Sequence, residues 1–162
     1  MIFVTTGTQA PFNRLVKAMD DIAAELNGEE VIVQAFGVDF ETKNIKVVGF
    51  LDPSEYTKIF ERARLIVSHA GIGSILSALT KGKPIIVMPR KADLNEHRDN
   101  HQYDTTRNMS TLGYVPVAHD PAELRTILVD MLSTLKEDGE KVIGEYASDS
   151  LIDSIRSFIL KD

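Results

Sequence analysis

The stretch richest in chemistry is Ser68-His69-Ala70-Gly71-Ile72-Gly73-Ser74. An apolar run, Leu65-Ile66-Val67, enters it and a helix-like run from Ile75 leaves it. Glycines at such a junction let backbone N–H groups come close to a ligand. The first turn of the following helix adds partial positive charge. The ligand such a corner suits is a phosphate or a pyrophosphate. The same Gly-x-Gly-Ser spacing also serves a tight turn that needs only a positive φ.

Other polar residues fall where they could share that ligand. Thr5-Thr6-Gly7-Thr8-Gln9 offers hydroxyls and N–H groups for a second part of a phosphate, or capping threonines at a plain turn. Arg90 carries a planar cationic fork suited to a phosphate or a carboxylate. His69 could donate to a phosphate or polarise a leaving group, or could be a buried histidine bonded to backbone. Glu96-His97-Arg98-Asp99-Asn100-His101-Gln102 is dense in the donors and acceptors that sugar hydroxyls require. On a helix, His97 and His101 share a face. A zinc site needs at least three ligands and the chain has no cysteine, so no metal is expected.

The elements that must position these residues alternate. Apolar, β-rich runs lie at 1–5, 31–36, 46–51, 65–68, 83–89 and 114–118. Helical patterns lie at 11–26, 53–63, 74–81, 96–109, from 121 to about 132, and in the tail at 143–160. Strands alternating with helices predict βαβ units in one doubly wound, Rossmann-like α/β domain with a mostly parallel sheet, covering 1–162. Ligands of such sheets bind at the carboxyl ends of the strands, where the Gly7, Gly71 and Arg90 segments fall.

Composition narrows the class. The chain has 162 residues and a net charge of −6, which disfavours a general nucleic-acid binder. No run is long enough for a membrane span, and the first residues lack a signal peptide's pattern, so a cytoplasmic location is expected. A P-loop, a dinucleotide fingerprint after the first strand and a Gly-x-Ser-x-Gly elbow are all missing.

In order and placement, these segments resemble the C-terminal domain of glycosyltransferase family 28. The resemblance rests on Phe3-Val4-Thr5-Thr6-Gly7-Thr8, on residues 68–74, on Gly82-Lys83-Pro84-Ile85-Ile86-Val87-Met88-Pro89, and on Asp99-Asn100-His101-Gln102. The Pro89-Arg90 and 96–102 pair looks most like a bacterial subgroup, the catalytic subunits of split enzymes in exopolysaccharide and capsule assembly. A eukaryotic relative adds the second N-acetylglucosamine to a dolichol-linked oligosaccharide.

The resemblance implies the C-terminal, donor-binding half of a GT-B enzyme. Such a subunit would move a sugar from a UDP-sugar to a lipid-linked acceptor, with inversion and without metal or other cofactor. A membrane-anchored partner would complete the cleft and hold the chain at the inner face of the plasma membrane. Gly71, Gly73 and Ser74 would hold the diphosphate, with Gly7 and Thr8 lining it and His69 and Arg90 assisting. His101 and Gln102 would meet the transferred sugar. The family often has a glutamate at the position of Ser77, where it binds ribose; here Glu96 is the candidate substitute. Two other readings are a UDP-sugar-binding regulatory module without catalysis and, less favoured at this length, an NDP-sugar epimerase.

Overall fold

Four of the apolar runs fold as fully buried strands: β1 (Ile2–Thr5), β2 (Val31–Gln34), β4 (Leu65–His69, buried up to its last residue) and β5 (Ile85–Met88). The short β3 (Lys46–Val48) is more exposed because it forms an edge. The computed structural model describes residues 1–98, 106 and 115–134. Its sheet has five strands in the order β3-β2-β1-β4-β5, and every pairing is parallel. Strands covered on both faces need apolar side chains on both, which explains their near-continuous hydrophobic character.

The register places Thr5 beside both Gln34 and Ser68, so β1, β2 and β4 end at one level. Ile2 and Val4 belong to one core, with Leu15, Val16 and Met19 of α1 (Asn13–Ala23) and Leu124 and Leu128 of α4 (Pro121–Thr134). Phe3 belongs to the other, with Phe60 of α2 (Pro53–Arg62) and Ile75, Ala78 and Leu79 of α3 (Ile72–Thr80). The chain winds away from β1 in one direction through β2 and β3, then returns through α2 to wind the other way through β4 and β5. The reversal lies between β1 and β4, where a crevice opens at the strand carboxyl ends.

Three sequence expectations change. The sixth strand is a single parallel bridge, Val117 to Val87, with Pro116 accepting from the Val87 N–H at 3.0 Å. Pro116 has no N–H to give, so the ladder cannot extend through it. Helix α3 begins at Ile72, with Gly71 as its cap, so Gly73 lies inside the first turn. The helix expected over 96–109 does not begin at 96: a short 3-10 turn, Ala92–Leu94, ends at Asn95 with φ 56° and is followed by bends. The rest of that segment, apart from Thr106, lies outside the described residues, as do Tyr114 and the tail.

Candidate functional site

The crevice between β1 and β4 holds a cleft of about 360 Å³. Its lining comes from three segments: Thr6, Gly7, Thr8 and Gln9 after β1; His69 at the end of β4 with Gly71 to Ser74 at the start of α3; and Arg90 and His97 after β5. The N–H groups of Ile72, Gly73 and Ser74 precede the first intrahelical bond of α3, from Ile75 N–H to Gly71 O at 3.2 Å. A Cβ built on Gly73 meets nothing within 4 Å, so this glycine leaves the approach to those N–H groups open. Helix-end charge and oriented amides make this the wall of the cleft chemically suited to an anion.

The other two glycines serve a different purpose. Gly71 has φ −82°, which any residue can adopt. Its missing Cβ instead makes room for the His69 ring, which a side-chain carbon there would overlap. A Cβ on Gly7 would lie 2.7 Å from the same ring, and Gly7 has φ +75°. The imidazole is therefore sandwiched between two glycines. Burial, helped by the nearby Arg90 charge, pulls its pKa down to about 4, against a smaller opposing pull from the Thr5 backbone. At neutral pH His69 brings a neutral ring to the cleft and no positive charge.

The first threonines face inward. Thr5 Oγ1 donates to Gln34 Oε1 at 3.0 Å and Thr6 Oγ1 to the Gln34 carbonyl at 3.3 Å. Thr5 Oγ1 also accepts the Gly7 N–H at 3.4 Å. These groups set the loop's shape, which leaves exposed Thr8 as its hydroxyl toward a ligand.

Arg90 lines the cleft, but it is 2% exposed. Its guanidinium donates to the carbonyls of Thr6, Ala10, Pro11 and Glu96 at 2.6–3.0 Å. It is a brace between loops whose charge is felt in the cleft. Glu96, the candidate substitute for the ribose acid, is placed away from the cleft lining. Arg14 holds both its oxygens at 2.8 Å. His101 and Gln102 lie outside the described residues. Among the described residues no group of three potential metal ligands occurs.

A second, mostly apolar lobe of about 290 Å³ adjoins the first. Phe50, Leu51, Pro53 and Tyr56 line it, and it shares Gly7, Thr8 and Ser74 with the first lobe. Sequence reasoning missed these residues. The signal was available in Gly49-Phe50-Leu51-Asp52-Pro53, where apolar side chains sit between a strand's end and a helix cap. Phe50 is 76% exposed and lends its ring to the open side of this lobe.

The model of the glycosyltransferase family 28 C-terminal domain matches residues 1–147. The chain belongs to that family.

Curated relatives of this family 28 chain include the UDP-N-acetylglucosamine transferase subunit ALG13 of Eremothecium gossypii, 33% identical over 119 residues. That match covers 71% of the chain and 55% of the relative. The ALG13 subunit of Saccharomyces cerevisiae is 28% identical over 155 residues, covering 70% of the chain and 75% of the relative. The chain spans about half the length of the first of these relatives. Among solved structures, the solution structure of ALG13 aligns with TM-score 0.56 and 24% identity, covering 95% and 93% of the two chains. A UDP-GlcNAc 2-epimerase from Methanocaldococcus jannaschii aligns with TM-score 0.62 and 16% identity, over 97% of this chain and 45% of its own. MurG of Acinetobacter baumannii gives 0.57 and 15%, over 96% and 49%. These likenesses show a shared fold, with this chain equivalent to about half of the longer proteins.

Proposed function

We propose that this family 28 chain is the donor-binding subunit of a two-component glycosyltransferase that uses a UDP-sugar. The observation that carries the reading is the two-lobed cleft at the switch point. Its apolar lobe suits a planar base, its α3 wall suits a diphosphate, and Gly7, Thr8 and Ser74 join the two. The sugar then extends toward His97. Curated relatives are named as subunits of a UDP-N-acetylglucosamine transferase, which supports both a partner and UDP-GlcNAc as the first donor to test.

Chemically, the sugar's anomeric carbon loses UDP while an acceptor hydroxyl attacks from the opposite face. The N–H groups of Ile72, Gly73 and Ser74 stabilise the charge that gathers on the departing diphosphate. They do so without a metal, beside a neutral His69 ring whose N–H is engaged by the Thr5 backbone. The described lining contains no carboxylate, and in this reading the partner supplies the base that takes the acceptor's proton. That same feature keeps open a regulatory module that binds the donor without turning it over. No described helix is long and apolar enough to cross a membrane, and the proposed partner supplies the attachment. Exopolysaccharide or capsule assembly at the plasma membrane is the acceptor context expected from the sequence. The relatives' names point instead toward a UDP-GlcNAc transferase.

The test is reconstitution with a membrane-anchored partner subunit, a panel of UDP-sugars and lipid-linked acceptors. Transfer with inversion, insensitive to chelators and dependent on both chains, supports the reading. Tight UDP-sugar binding with no turnover under any pairing favours the regulatory module.

A further inference from the structure

The loops on either side of the β4–α3 corner are joined through the ring of Phe12, which is 1% exposed. The guanidinium carbon of Arg90 lies 4.6 Å from the ring centroid and that of Arg14 lies 5.2 Å from it. Arg90 grips the carbonyls of Thr6, Ala10 and Pro11 on the first loop and of Glu96 on the second. Arg14, on α1, holds both Glu96 carboxylate oxygens and the Pro89 carbonyl at 2.8 Å. Glu96 Oε2 in turn accepts the Lys91 N–H at 2.9 Å. The side chains of Arg14 and Glu96 are only 16% and 10% exposed.

A bidentate pair this enclosed spends much of its attraction on desolvation. What it provides is geometry: the planar fork fixes the carboxylate in direction as well as distance. Glu96 immediately precedes His97, which lines the cleft, whereas neither Arg14 nor Glu96 lines it. We propose that Arg14 and Glu96 are positioning residues for donor-sugar recognition. The pair pins the peptide that presents His97 at a set place relative to the α3 N-terminus. Their contribution falls on the sugar and not on the UDP. This proposal rests on the donor-site reading above.

Two measurements test it. Without ligand, amide exchange is followed in wild type and Arg14→Met. Arg14 does not touch Lys91, yet its loss frees the Glu96 carboxylate, so Lys91 N–H exchange should accelerate at least tenfold while Val33 in β2 stays unchanged. Unchanged Lys91 exchange overturns the proposal. With ligand, calorimetry compares UDP and UDP-GlcNAc on wild type and on Arg14→Met/Glu96→Met, which removes both charges together and so avoids stranding one. Affinity for UDP-GlcNAc should fall tenfold or more while that for UDP stays within twofold. Equal losses for both ligands mean a merely structural pair and overturn the proposal, as does unchanged affinity for both. A wild-type chain that binds neither nucleotide overturns the donor-site reading and the sugar role with it, and is recognised before any variant is compared.

Discussion

His69 is a histidine that the fold holds largely out of water. Its pKa is lowered from 6.5 to about 4, so the folded state resists a proton that the unfolded chain accepts. Between those values the unfolded state binds more protons, and stability therefore falls as pH drops from about 6.5 toward 4. The full penalty is on the order of 3 kcal/mol. We predict that His69→Gln flattens this part of the stability-versus-pH curve in urea unfolding, relative to wild type. A bound diphosphate would oppose the lowering, so the His69 ring signals in an NMR titration should shift their midpoint upward when UDP is added. The sequence showed a strand-to-helix junction here but not the reason for its glycines. Gly71 and Gly7 clear space for the imidazole, a pairing of distant residues that no local spacing reveals. Arg90 and Glu96 were legible as polar and near the site. Their partners, four carbonyls for one and Arg14 for the other, depend on the fold.

Among the elements, α2 links the second core to the apolar lobe. Its Tyr56 and Phe60 rings stack at 5.7 Å and meet Phe3 of β1 edge-on at 5.4 and 6.4 Å. Phe60 is 2% exposed, and Tyr56 and Pro53 of the same helix line the lobe. We predict that Phe60→Ala costs about 3–5 kcal/mol in denaturant unfolding, from lost burial and the cavity left behind. It should also weaken UDP binding, measured by calorimetry, because the Tyr56 ring loses its neighbour. Strands β1, β2, β4 and β5 were legible because strands of a parallel sheet, buried on both faces, read as unbroken apolar runs. Val117 was not separable from such a strand by hydrophobicity alone, since the decisive feature is the missing N–H of Pro116. The start of α3 was placed two residues late because glycine weakens a helix prediction, although at the first turn it costs little and leaves room for a ligand.

For the whole molecule, the strand order β3-β2-β1-β4-β5 does most to place the site. It brings the loops after β1 and β4 together across the reversal, and the loop after β5 completes the lining. Alternating strands and helices made the doubly wound class legible. The second lobe was not, because Phe50 reaches it only through the crossover that carries the chain from β3 to β4. We predict that turnover requires a second chain: adding the partner should change kcat from undetectable to measurable, while the Kd for UDP changes little.

The central claim is that the open amides at the start of α3 hold the donor's diphosphate. Gly73→Asp isolates it. A side chain there meets no neighbour, and an acid in a helix's first turn favours the fold. Calorimetric titration with UDP should show affinity reduced at least tenfold, with a Tm equal to or above that of wild type. Undiminished UDP binding by this folded variant would contradict the account.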